Sequence, residues 1–174
     1  MTVAAIGRTR EGVSYIACHI HKLPNAMFTV SSILVPTDFS ENAQKALALA
    51  KELARGTNAT LHVVHVVEPV VYPADWGYAQ VGFADLEREL EVSTQKELNT
   101  LADTLQKEGY KVETKVLRGR ASEEICAYAK DHGASIIAIG THGRGGLEHF
   151  LFGSTTERVL RKAPCPVLSV RLDQ

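Results

Sequence analysis

Ile33-Leu34-Val35-Pro36-Thr37-Asp38-Phe39-Ser40 decides how the chain is read. Its first three residues form an apolar run bounded by polar neighbours, the pattern of a strand buried on both faces of a parallel sheet. Ser40 then supplies the N-cap of a helix whose apolar residues Ala43, Leu47, Ala50, Leu53 and Ala54 share one face, with Gly56 as its stop. A strand followed by a helix is the unit from which the remainder is read.

The unit recurs. Leu61 to Val67 reads as strand two and is followed by a long connection over 68–83. A second helix carrying Leu86, Leu90, Leu98, Leu101 and Leu105 then runs to Gly109. Val112 to Leu117 is strand three, and Ser122 to His132, with Ile125, Cys126 and Ala129, is a helix closed by Gly133. Ala134 to Ile139, apolar apart from Ser135, is strand four; a glycine-rich loop, a helix over Ser154 to Lys162 and a strand over Val167 to Val170 complete the series. Five strands alternating with four helices predict a doubly wound, Rossmann-like α/β fold, its parallel sheet covered on both faces and its crossovers right-handed. No residue-level repeat appears, so one domain is expected over 30–174.

Residues 1–29 form an N-terminal extension without sustained periodicity, expected to be disordered or to add a short strand from within Val13 to Ile20. Met27, just ahead of the first regular apolar run, is a candidate start. At 174 residues the chain has room for one full-sized domain, and 45% hydrophobic with 22% charged residues excludes disorder for most of it. Nineteen basic against twenty acidic residues leave no electrostatic footprint for nucleic acid or an anionic membrane. No apolar run approaches membrane-spanning length, and the N-terminus lacks signal-peptide order, so a soluble cytoplasmic protein is expected. Cys18, Cys126 and Cys165 are odd in number and lack CxxC spacing, which suits a reducing compartment and offers no zinc site.

In an open doubly wound sheet, ligands bind beyond the carboxyl ends of the strands, where strand order reverses. Two segments lie at such ends. Asp38 can accept from sugar hydroxyls or meet a cation; equally, it can serve local backbone bonding in a strand-to-helix turn. Gly140-Thr141-His142-Gly143-Arg144-Gly145-Gly146 holds four glycines in seven positions and is followed by Gly153-Ser154-Thr155-Thr156 at a helix start. Such a loop is either a flexible turn or a concavity of N–H groups aimed at an anion. Ser154 and Thr155 add hydroxyls at a helix N-terminus, and Arg144 adds positive charge. Residues 140–162 carry four basic against two acidic residues, whereas 68–110, with nine acidic against three basic, reads as a solvated face. A P-loop is rejected because Gly146 stands where lysine is required. A dinucleotide fingerprint is disfavoured because Glu148 stands where glycine is required.

The spacing Gly140-x2-Gly143-x9-Gly153-Ser154 resembles the G-2x-G-9x-G-[S/T] signature of ATP-binding universal stress proteins. The resemblance extends through Ile33 to Ser40, Leu61 to Val67 and Ala163 to Leu168, and covers roughly 31–172. It implies strand order 3-2-1-4-5, which sets Asp38 and the glycine loop on neighbouring strands. It further implies that Asp38 bonds the ribose, that Val66 offers backbone to adenine, and that Pro36, Thr37 and Ile139 line the base pocket. Gly140, Gly143 and Gly153 would let the loop wrap the phosphates, Ser154 and Thr155 would donate to them, and Arg144 occupies a loop position often basic. The implied cofactor is ATP with Mg2+, and the implied assembly is a homodimer through the last strand, Cys165 to Arg171, an apolar edge that needs cover. The expected function is a nucleotide-dependent stress-response or signalling module, with neither a catalytic residue nor a protein metal site assigned. A slow Mg-dependent ATPase or nucleotidyl transferase, and a scaffold without nucleotide, are the alternatives; no general base is evident beside a γ-phosphate.

Other polar and aromatic residues receive plainer readings. His62 and His65, three apart on a strand, point to opposite faces as neutral, hydrogen-bonded core histidines. His142 and His149 are exposed loop residues, and His19-x-His21 supplies too few ligands for a metal. Cys126 and Cys165 are small buried hydrophobes. Trp76, Tyr72 and Tyr78 occupy the long connection as a lid, a partner surface or simple packing.

Overall fold

The computed structural model describes residues 6–8, 14–16, 28–69, 80–141 and 152–171. In chain order the elements are β1 (Ile6–Arg8), β2 (Ser14–Ile16), β3 (Ser32–Pro36), α1 (Glu41–Thr57), β4 (Thr60–Val67), α2 (Gln80–Lys107), β5 (Val112–Arg118), α3 (Ala121–Asp131), β6 (Ile136–Gly140), α4 (Ser154–Lys162) and β7 (Val167–Arg171). They form one sheet in the order β1-β2-β7-β6-β3-β4-β5. The five strands from β5 to β7 are mutually parallel and have the expected 3-2-1-4-5 order. Beyond β7, β2 and then β1 add antiparallel strands.

Hydrophobic burial on both sheet faces holds this arrangement. On one face Leu34, Val64, Ile137 and Val167 pack against Ile125 and Ala129 of α3 and Val159 of α4. On the other, Ile33, Val35, Leu61, Val63 and Ala138 pack against Ala50 and Ala54 of α1 and Leu98 and Leu105 of α2. Successive side chains of a strand point to opposite faces, so apolar runs rather than alternation mark β3, β4 and β6. β5, at the sheet edge, alternates between half-buried and exposed residues.

Several boundaries differ from expectation for local reasons. α1 passes through Gly56 and ends on Asn58, whose left-handed backbone (φ 58°) makes it the C-cap in place of glycine. Gly109 (φ 90°) and Gly133 (φ 58°) do supply the left-handed turns after α2 and α3. α2 begins at Gln80, inside the segment read as connection, and Leu90 lies on its exposed side rather than in the core. Tyr72, Trp76 and Tyr78 lie outside the described residues. Among the described residues no helix is long and apolar enough to cross a membrane.

Candidate functional site

The carboxyl ends of β3, β4 and β6 meet at the point where strand order reverses, the crevice position of this architecture. At the end of β3, Asp38 Oδ1 accepts from Ser40 N–H at 3.1 Å and from Ser40 Oγ at 2.6 Å. The Ser40 Oγ in turn accepts from Ala43 N–H, capping α1. Asp38 therefore orders the helix cap as well as standing at the crevice. Between them Phe39 adopts a left-handed backbone (φ 62°), which is costly for a residue with an aromatic side chain. The turn is held by Thr37 Oγ1, which accepts from Phe39 N–H at 3.0 Å.

That turn peels the chain away from β4, and β4 outruns β3. The register closes at Pro36↔Val64, and Thr37 N–H makes one further bond, 2.8 Å, to Val64 O. Backbone groups along β4 alternate between its two neighbours: Thr60 and Val64 bond toward β3, Leu61 and Val67 toward the β5 side. By that alternation the N–H and C=O of Val66 face the β3 side, past the end of β3. The ladder would continue by Val66 N–H donating to Thr37 O, but that carbonyl is engaged by His65 Nδ1 at 2.8 Å. The His65 ring also stacks on Phe39, with centroids 5.3 Å apart. Val66 thus presents a main-chain donor and acceptor to the crevice.

His62 and His65 do point to opposite faces, but only one is remote from the crevice. His62 is buried beside Tyr128 of α3, Nδ1 to Oη 3.3 Å, on the far stretch of β4. Burial holds its pKa below the ordinary value; Glu113 Oε2 at 3.5 Å opposes this and His132 adds to it. His65, read from sequence as a core residue, positions the Thr37 turn. Its signal was available only as adjacency to Val66 in Val64-His65-Val66.

On β6, Ile139 is buried in the core cluster that Val66 also touches, and Pro36 is buried at the end of β3. Gly140 ends β6 against the start of α1: a Cβ there would lie 2.9 Å from the Asn42 carbonyl carbon. This close helix approach is a physical demand for glycine that the sequence reading, which assigned Gly140 to phosphate wrapping, did not include. Thr141 is fully buried and donates to Val170 O at 2.8 Å. The start of α4 is bonded to the same corner: Gly153 N–H donates to Thr141 O at 2.7 Å, and Thr156 Oγ1 donates to Gly140 O at 2.8 Å. Thr156 pins α4 to β6 and was read only as part of a hydroxyl run.

Gly153 is the N-cap of α4 and makes no side-chain cap bond. The first N–H groups of a helix have no intrahelical partner and favour negative charge. Ser154 is exposed and Thr155 half-buried at this turn. By contrast, the first N–H of α3 is bonded by the Glu68 carboxylate at 2.7 Å. Gly143, Arg144, His142 and His149 lie outside the described residues. Among the described residues no group of three or more His, Cys, Asp or Glu side chains is placed to hold a metal ion.

The strand order and the crevice at its reversal define a doubly wound α/β protein of Rossmann-like type. Within that class the sequence matches the universal stress protein family over residues 29–171, and the chain belongs to that family. It is 34% identical over 151 residues to universal stress protein MJ0577 of Methanocaldococcus jannaschii, covering 80% of this chain and 93% of that protein. The solved structure of MJ0577 superposes with a TM-score of 0.67 at 31% identity, covering 84% of this chain and 99% of that one. UspA from Lactobacillus plantarum gives a TM-score of 0.74 at 26% identity, covering 84% and 100%. A universal stress protein from Archaeoglobus fulgidus, solved in complex with dAMP, shares the fold at 24% identity and a TM-score of 0.59, covering 83% and 99%.

Proposed function

We propose that this chain binds ATP with Mg2+ in the crevice between β3, β4 and β6 and acts in the cytoplasm as a nucleotide-dependent stress-response or signalling module. The observation that carries the reading is the pair of Val66 main-chain groups facing the crevice beyond the end of β3. A purine such as adenine offers an exocyclic amine donor beside a ring-nitrogen acceptor, the complement of one C=O and one N–H. Pro36, Thr37 and Ile139 flank the base in this reading. The Asp38 carboxylate accepts from ribose hydroxyls while its bonds to Ser40 fix its direction. Ser154, Thr155 and the open N-terminus of α4 meet the phosphates, with Gly140, Gly143, Arg144 and Gly153 belonging to the same loop. Mg2+ neutralises phosphate charge and is held chiefly by the nucleotide and water, as suits an ion reluctant to dehydrate.

The dAMP complex of the Archaeoglobus fulgidus protein supports an adenine nucleotide only as a property of that neighbour. Binding without rapid turnover is the reading adopted, because Asp38 is engaged by the α1 cap and no other base is assigned. Pairing of two copies through Cys165 to Arg171 is part of the same proposal and requires β2 to leave the Ser169–Arg171 stretch of β7 that it covers within one chain. Neither nucleic acid nor membrane is a partner in it.

Calorimetric titration of nucleotide-stripped protein with ATP and magnesium tests the reading, with folded Gly143→Val as control. Micromolar binding that is lost in the variant is expected, since a branched side chain would stand where backbone meets phosphate. Absence of binding in the native chain would leave a nucleotide-free scaffold. Steady Mg-dependent hydrolysis abolished by Asp38→Ala would make the protein an ATPase instead.

A further inference from the structure

The end of β3 is tethered in the sheet from one side. Thr60 N–H donates to Ser31 O and Thr37 N–H to Val64 O, so the odd-numbered residues of this segment face β4; Ser135 N–H donates to Ser32 O, so the even-numbered ones face β6. On the β6 side the register stops at Leu34↔Ile137, and Pro36, next in line there, has no N–H with which to extend it. Beyond Leu34 the ladder therefore continues only toward β4. The turn that follows holds Phe39 in a left-handed backbone (φ 62°), a sparsely populated conformation that persists only while surrounding bonds impose it. One of those bonds comes from β4 itself, His65 Nδ1 to Thr37 O at 2.8 Å. Because a carbonyl only accepts, Nδ1 carries the hydrogen.

We infer that His65 is a positioning residue that keeps the crevice open: it draws the Thr37 carbonyl away from Val66 N–H, and without its donor the β3–β4 ladder closes by one further rung that consumes the group offered to a base. The inference deepens the reading of Val66 given under the proposed function, and its effect on nucleotide rests on that reading. Direction makes the two bonds compete. Ladder bonds lie in the plane of the sheet, whereas a side chain of β4 stands off its face. The His65 ring stands on the face of α1 and α2, stacked on Phe39, which packs against the core cluster there. A carbonyl aimed at that ring is tilted out of the plane in which Val66 N–H would meet it. Exchange of the Val66 amide and binding of a base both require the open arrangement, so the open fraction scales both by one factor. For the net worth of one neutral hydrogen bond that factor is roughly fivefold.

Amide hydrogen exchange of the full chain without nucleotide, read by NMR, tests this beside calorimetric titration with ATP and magnesium. His65→Phe keeps a flat ring against Phe39 and removes the donor; His65→Asn removes the ring and keeps an N–H donor near the place of Nδ1. In His65→Phe the Val66 amide is expected to exchange roughly fivefold more slowly than in the native chain, with ATP affinity weakened by the same factor. Val63 and Val67, whose amides face β5 by the same alternation, keep their native rates. His65→Asn is expected to restore both quantities. His65→Ala, which only removes atoms, takes the place of the ring variant should that variant not fold. Unchanged or faster exchange at Val66 in His65→Phe overturns the inference, and so does equal slowing in His65→Asn, which would make the ring rather than the donor responsible. The two readings fail separately. A native chain that binds no ATP while the exchange pattern appears as expected removes the nucleotide and supports the competing rung. ATP binding with Val66 exchange indifferent to His65 does the reverse.

Discussion

Gly140→Ala separates two reasons for a glycine at this position. The added Cβ would sit 2.9 Å from the carbonyl carbon and Cβ of Asn42 and 3.0 Å from its oxygen, against ~3.5–4.0 Å for relaxed carbon contacts. The obstacle is largely backbone. α1 is fixed by the Ser40 cap and by fully buried Ala46 and Ala50, so relief requires the helix start or the end of β6 to move by several tenths of an ångström or more. Overpacking of this kind costs ~1–3 kcal/mol, while restriction of the unfolded chain returns ~0.4–1 kcal/mol. The net destabilisation is therefore about 1–2 kcal/mol, or a drop in midpoint temperature of ~2–8 °C for a chain of this size. Urea and thermal unfolding followed by circular dichroism, both without nucleotide, read it directly. A variant as stable as the native chain would refute the packing argument and return Gly140 to a role in ligand approach alone.

Other predictions address neighbouring links. His65→Ala removes the bond that diverts the Thr37 carbonyl; at ~1 kcal/mol for a neutral hydrogen bond, ATP is expected to bind about fivefold more weakly, and unchanged calorimetric affinity would exclude a positioning role. Ser40→Ala should destabilise the fold by ~1 kcal/mol through loss of the α1 cap, seen as a lower urea midpoint with an unaltered slope. His62 has a depressed pKa in the folded chain, so the unfolded chain binds the extra proton more readily. The stability contributed by neutral His62 is present above its ordinary value of 6.5 and is lost as pH falls below it. His62→Gln should flatten the decline in urea midpoint between pH 7.5 and 5.5; parallel profiles would contradict this.

The parallel core was legible because burial on both faces leaves long apolar runs, and Ile33 to Val35 and Ile136 to Ile139 carry that signal without interference. Helix ends set by side-chain chemistry were also legible, as at Ser40. Where the sequence misled, the deciding contact lies far along the chain or in the backbone. Asn58 replaces Gly56 because asparagine also tolerates the left-handed region. The demand for glycine at 140 comes from Asn42, nearly a hundred positions away. β2 could be glimpsed within Val13 to Ile20, but no local pattern announced that it would pair with β7. In the crevice, residue types at Asp38 and Ser154 were visible, whereas the part played by His65 depends on where the Thr37 carbonyl turns.

The overhang of β4 past β3 has a consequence for how selectivity can evolve. Recognition by Val66 would use atoms every amino acid possesses, so changes of side chain at that position leave the hydrogen-bonding face intact. Preference among bases is then governed indirectly, by whatever sets the height and tilt of the strand terminus: the stacked Phe39 and His65 rings and the turn they brace. If the proposed function holds, a lineage could drift widely at residue 66 and keep its ligand, yet lose it through a change at Phe39 or His65, whose contacts are with each other and with the Thr37 turn.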